Sequence, residues 1–219
     1  MRTGILATLA VAAPLLGGCA SAPAVDAQTC RVSRLASSPA PESALGGLGQ
    51  PPAHLAQGEI DAVADCLAPR IARSFAAVAD RAVIGKNWSA MARAYKASEH
   101  GMFLQVYADP AAAESYRRYE QGAQIGQGGT IVKRSFRVEA DGRTAPYRTF
   151  VMARMAPGYE PGANDWRFAV YEPDGTLIGE TGGQGNARVR FCVECHEAAR
   201  AQDFLLFVPP AYRIPLSVR

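Results

Sequence analysis

The chain is poor in the features that mark several common protein classes. It carries no run of lysine or arginine and a net charge of only +3, so nucleic-acid binding has no compositional basis. No internal repeat is present. Its N-terminal apolar stretch, Ile5 to Leu16, falls short of the roughly 20 residues that a membrane span needs. Histidine occurs three times, at His54, His100 and His196, and a single Cys-x-x-Cys pair occurs, at Cys192 and Cys195. No methionine follows Met155. What is there is ordinary for a globular chain: 219 residues, 48% hydrophobic and 20% charged, enough for one domain with a core and an added segment.

The first residues read as an export signal. Arg2 supplies the positive end, and Ile5 to Leu16 is an apolar core of signal-peptide length. The sequence Leu16-Gly17-Gly18-Cys19 resembles a bacterial lipoprotein box, in which the cysteine is acylated and becomes the new N-terminus. That resemblance implies a signal peptide over 1–18, lipid on Cys19, and a chain anchored to the cell envelope, facing the periplasm, rather than spanning a membrane. Ala20 and not aspartate follows Cys19, which points to the outer rather than the inner membrane. An ordinary signal with a stray cysteine is the alternative.

Five cysteines are present. Lipid accounts for Cys19 and the paired motif for Cys192 and Cys195. Cys30 and Cys66 remain, an even number in an oxidising compartment, and a disulfide between them is expected. It would tie the N-terminal segment to the first helix and contribute about 2–4 kcal/mol. Two unpaired buried thiols are the rival reading.

Residues 19–58 are rich in Ala, Ser, Pro and Gly and read as a flexible tether with Cys30 as its one fixed point. Residues 59–87 read as a helical extension, because Ile60, Val63, Leu67, Ile71, Phe75 and Val78 recur at spacings of three and four. Pro69 should kink or divide this helix. Within 88–219 a second helical stretch is predicted from about Trp88 to Lys96. A third starts at Asp109-Pro110, a capping residue followed by a proline, and ends near Gly122. Strands are predicted over 102–108, 129–139, 147–155, 165–175 and 175–180. The second places Val132, Phe136 and Val138 on one face and Ile131, Lys133 and Ser135 on the other. The order predicts an α+β fold: an antiparallel β-sheet with packed helices, a helical extension before it and a short terminal helix.

The stretch Cys192-Val193-Glu194-Cys195-His196 lies near the C-terminus. A zinc site usually takes four protein ligands, and neither a second cysteine pair nor a suitably spaced histidine pair is present. A thioredoxin-type redox pair belongs in a parallel βαβ context, which the strand order does not supply, although the flanking Arg188-Val189-Arg190-Phe191 looks strand-like. Covalent haem is the favoured reading. Two thiols at this spacing add to the two vinyl groups of one haem c, and His196 meets the iron as proximal ligand. No methionine downstream can supply a sixth ligand; Met91, Met102, Met152 and Met155 all precede the motif and read as packing residues. His100 is a candidate distal ligand, but a five-coordinate iron is expected, suited to small diatomic or nitrogenous ligands.

The stretches "SEHGMFLQVYADPAAAESYR", "GGTIVKRSF", "DWRFAVYEPDG" and "FCVECHEAARAQDFLLF" resemble, in order and spacing, the cytochrome P-460 family, which includes the beta-type cytochromes c-prime. The resemblance covers about residues 88–210. It implies an antiparallel sheet with packed helices, one haem, and usually a homodimer. In the catalytic members a lysine of the Gly-Thr strand forms a further covalent bond to the haem macrocycle, and the matching position is Lys133. Those members oxidise hydroxylamine and would hand electrons to a periplasmic electron-transfer cytochrome; relatives without the crosslink bind nitric oxide as scavengers or sensors. Hydroxylamine oxidation requires proton removal, helped by a nearby carboxylate. Residues 181–190 contain no acid; Glu180 precedes them and Glu194 within the motif should face solvent. Arg188 and Arg190 are candidates to pair with haem propionates. Phe103, Phe136, Phe150 and Phe168 are candidates for the pocket wall.

Overall fold

The computed structural model describes residues 24–35, 54–97 and 102–215. Five strands follow one another as an antiparallel meander. They are β3 (Met102–Ala108), β4 (Thr130–Val138), β5 (Thr144–Arg154), β6 (Trp166–Tyr171) and β7 (Leu177–Glu180), and two short strands, β1 (Ser89–Ala90) and β2 (Tyr95–Ala97), pair with the outer edge of β3. The predicted α+β class with an antiparallel sheet is the class observed. Among the described residues three α-helices accompany the sheet: α1 (Gln57–Ala76), α2 (Pro110–Tyr116) and α3 (Asn186–His196).

Side chains alternate along β4, and the two sets meet different helices. Val132 packs with Val151, Ala169 and Tyr171 against Val78 and Val83. Further along the same face, Phe136 and Val138 pack against Ile60, Val63, Leu67 and Ile71 of α1. Ile131 turns to the opposite face, into the core that holds Met152, Trp166, Phe168 and the α3 residues Val189 and Cys192. A register shift between Arg134 and Phe136 interrupts the pairing with β5. The predicted two-sided β4 is therefore what separates the α1 side from the α3 side.

Several local expectations need correction. Pro69 does not divide α1, which runs unbroken across it. Pro69 and Asp65, whose carbonyl the missing N–H leaves unpaired, both lie on the exposed face, so water can take that carbonyl. The helix expected from Trp88 to Lys96 is instead β1, β2 and the segment between them. The Met91 N–H donates to the Val106 carbonyl, while Arg93 and Ile214 exchange backbone bonds with Tyr212 and Met91. Alanine-rich local preference loses to pairing on both sides. The terminal helix begins earlier than expected. Arg188-Val189-Arg190-Phe191 is helical, and Val189, Cys192 and His196 form its buried stripe at spacings of three and four.

Cys30 and Cys66 are joined, with a Cα separation of 5.6 Å. Cys30 is not the segment's single fixed point, however. Val32 is fully buried, its N–H donates to the Gly142 carbonyl at 2.9 Å, and Thr144 Oγ1 donates to the Cys30 carbonyl at 2.9 Å. The Gly142 turn fits only without a side chain. Its φ is 83°, and a Cβ there would stand 2.4 Å from the Val32 oxygen. Arg34 adds a bidentate ion pair to Glu59 at the start of α1.

Behind the sheet, Asp80 is buried among Arg167, at 2.7 Å, and the Tyr171 hydroxyl, at 2.7 Å, while Arg167 also holds Glu180 at 2.6 Å. Burial alone would raise the Asp80 carboxyl, but the hydrogen bonds from Arg167 and Tyr171 outweigh it and hold the group below the usual range. A lowered carboxyl stabilises the fold fully above its unfolded value, near 3.9, and loses that contribution as pH falls through the folded value. Asp80→Asn should cost about 3 kcal/mol at neutral pH in urea unfolding. The deficit relative to the parent protein should shrink as the titration is repeated below about pH 4. Cys66→Ser should cost about 3 kcal/mol in the same assay, with full loss only under oxidising conditions for the parent.

Candidate haem site

Two glycines set α3 against the sheet. Gly185, at φ 67°, starts the helix, and a Cβ there would lie 2.5 Å from the Ile178 carbonyl oxygen. A Cβ on Gly179 of β7 would lie 2.3 Å from the Gly185 oxygen. This backbone-to-backbone approach seats the first turn of α3 on β7 and directs the inner stripe of the helix over β4, β5 and β6.

Between helix and sheet lies a cleft of about 750 Å³, counted out to its open mouth. Its walls are Ile131 and Lys133 of β4, Phe150 and Met152 of β5, Phe168 of β6, and Phe191, Cys192, Cys195 and His196 of α3. The structure thus brings Lys133 together with both motif cysteines and the motif histidine. Lys133 sits between Val106 and Phe150 in the sheet register. Strand parity groups Lys133 with Ile131 but leaves open which element covers that face; in the structure it is α3. Of the four phenylalanines proposed for the wall, Phe150 and Phe168 line the cleft. Phe103 and Phe136 do not; they stack on each other at 5.3 Å on the α1 side. Met152 is in the wall, whereas Met91 is in the core and Met155 packs behind the sheet.

The two thiols differ. Cys192 is buried and Cys195 exposed. Burial pushes the Cys192 thiol up to about 11, against a downward pull from the Lys133 ammonium, so it is protonated at neutral pH. His196 is buried, with the edge of its ring against Phe168 at 5.0 Å between centroids. Its Nδ1 meets the Phe204 carbonyl oxygen at 2.6 Å. A carbonyl can only accept, so Nδ1 carries a proton, and in the neutral ring Nε2 is the nitrogen with the lone pair. Phe204 gave no signal in the sequence, because the partner is a backbone oxygen eight residues along, in a turn whose Asp203 and Phe204 both have positive φ. Arg190 and Glu194 pair with each other on the exposed side of α3, at 3.2 Å, and Arg188 is exposed one turn before the cleft mouth. Cys19 and His100 lie outside the described residues.

These features fit a haem. A thiol pair three positions apart lies on one helix, an apolar slot adjoins it, and the neighbouring imidazole has its Nδ1 anchored on a carbonyl, as a haem ligand bound through Nε2 requires. The antiparallel sheet with this helix across it is an α+β arrangement whose cleft and motif suit a c-type haem. A sequence model described as Cytochrome P460 matches residues 86–207, more than half of the chain, and the chain belongs to that family. The family carries haem c and is connected with the metabolism of small nitrogen species. No curated protein matches the chain. The disulfide and α1 precede the matched span.

The contrast between the thiols can be read directly. In chain produced without haem, alkylation at pH 8 should modify Cys195 at least about tenfold faster than Cys192. Peptide masses over a time course would show this; equal rates would mean that Cys192 is not buried as described.

Proposed function

We propose that the protein is an exported, lipid-anchored haem protein that captures nitric oxide at a five-coordinate iron. One haem c is attached through Cys192 and Cys195, with His196 Nε2 as proximal ligand. The observation that carries the reading is the cleft wall. Ile131, Phe150, Met152, Phe168 and Phe191 make it apolar, and among the described residues no carboxylate lines it. The haem supplies an iron able to take a diatomic ligand. Phe150, Met152 and Phe168 keep water off the neighbouring space, which favours a small neutral ligand over a hydrated or charged one. Lys133 brings one positive charge and a donor to an otherwise apolar wall.

Hydroxylamine oxidation releases protons and is helped by a carboxylate base. Glu180 is held by Arg167 at 2.6 Å, in the network behind the sheet, and Glu194 is exposed and paired with Arg190. Neither serves the cleft. The second reading, oxidation of hydroxylamine with electrons passed to a periplasmic cytochrome, is favoured by one observation: Lys133 lines the same cleft as the haem-binding motif. A covalent Lys133–haem bond would support that enzyme, and its absence the nitric oxide-binding module. The proposal includes attachment to the outer membrane through Cys19, supported by the leader sequence, and a homodimer, supported by the family resemblance.

Purified holoprotein should keep haem staining on a denaturing gel, and the Cys192→Ala/Cys195→Ala double variant should lose it. Ferrous protein should bind nitric oxide stoichiometrically, with hydroxylamine turnover at background. Intact mass and absorption spectrum should be unaffected by Lys133→Ala apart from the residue's own mass. Turnover of hydroxylamine that disappears in Lys133→Ala would replace binding by catalysis. A six-coordinate spectrum abolished by Met152→Leu would point to electron transfer.

A further inference from the structure

The turn that faces His196 is held from five places in the fold. Asp203 and Phe204 are consecutive non-glycine residues at φ 56° and 60°, a conformation that side-chain sterics disfavour. It persists because Asp203 is anchored at both ends. Its carboxylate, 7% exposed, accepts from Arg154 Nη1 at the end of β5 at 2.8 Å. It also accepts from Asn164 Nδ2 at 2.6 Å and from the Ile125 N–H at 3.2 Å. Its backbone carbonyl accepts from Nε1 of the fully buried Trp166, at the start of β6, at 2.8 Å. The Phe204 N–H returns to the Ala199 carbonyl at 2.9 Å. With the backbone locked on both sides of the Asp203–Phe204 peptide, the next carbonyl, that of Phe204, points at His196 Nδ1 at 2.6 Å.

We propose that Asp203 is a positioning residue for the proximal ligand: its carboxylate, held by Arg154 and Asn164, fixes the turn that aims the Phe204 carbonyl at His196 and so sets the electron donation of the imidazole. A strong, well-aimed acceptor at Nδ1 makes the ring more basic at Nε2 and favours ferric over ferrous iron. This rests on His196 being the axial ligand.

The test uses covalently loaded holoprotein and two readouts, the iron–histidine stretching band of the ferrous form and the midpoint potential. Asp203→Gly keeps access to positive φ but removes the carboxylate. It should lower the band frequency and raise the potential. Asp203→Asn keeps a side-chain acceptor and tolerance of the left-handed turn, and should move both less. Asn164→Gly removes only one hydrogen bond from the carboxylate at another positive-φ site and should shift both in the same direction by the smallest amount. Band and potential at parental values in folded Asp203→Gly overturn the proposal. If that variant does not fold, parental values in Asn164→Gly overturn it. His196→Gly tests the underlying reading separately. Loss of the band supports His196 as ligand, and survival of the band means that the axial ligand lies elsewhere, whatever Asp203 does.

Discussion

The antiparallel pairing of β4 between β3 and β5 is the constraint on which the rest depends. Its register puts Lys133 opposite Val106 on one side and Phe150 on the other. Because side chains alternate, that register assigns Ile131 and Lys133 to α3, and Val132, Phe136 and Val138 to the opposite face. A slip by one residue would bring Lys133 to the packed side beneath Val78 and Val83 and turn Val132 toward the cysteines. Burying an unpaired ammonium there costs several kcal/mol. The same apolar burial that stabilises the sheet therefore also decides which side chain the cleft receives. Function is coupled to fold through a two-residue repeat.

The second half of the site comes from α3 and the turn behind it. The helix supplies both thiols and the imidazole from one stripe, and its first turn is fixed by contact between Gly185 and Gly179. The imidazole is then held by backbone rather than by a side-chain carboxylate. A neutral carbonyl draws less on the ring than a carboxylate would, and it gives the neutral ring one defined tautomer. The negative charge in this region sits one step further out, on Asp203, balanced by Arg154.

Much of this was legible in the chain. Paired cysteines and an adjacent histidine narrow the chemistry to haem, zinc or a redox pair, and the expectation of an export signal, with two cysteines left over, implies the disulfide that is observed. The sheet was readable because its strands have strong alternation and well-marked turns. The region from Trp88 to Lys96 was misread because its alanines favour a helix locally, while the bonds that make it extended come from Val106 and Tyr212, far along the chain. The face of Lys133 was ambiguous for a similar reason: parity divides residues into two sets but does not name the buried partner of each. Phe103 and Phe136 looked like wall residues, yet their set belongs to α1. The Phe204 carbonyl was invisible because backbone acceptors have no residue code.

The distribution of charge separates two kinds of chemistry on the two faces. Behind the sheet, Asp80, Arg167, Glu180 and Tyr171 form a buried network in which each charge has a partner. In front, the described cleft wall has Lys133 and no carboxylate. Arg167 follows Trp166 and precedes Phe168, so one strand carries the ion-pair anchor on one side and the cleft wall on the other. That arrangement withdraws Glu180, the acid nearest in sequence before α3, from the cleft and commits it to stability. A proton acceptor for oxidative chemistry would then have to come from solvent or from a group introduced with the substrate, because Lys133 as an ammonium is a donor only. Reversible capture of a neutral diatomic ligand needs neither, and the wall as built suits it without further machinery.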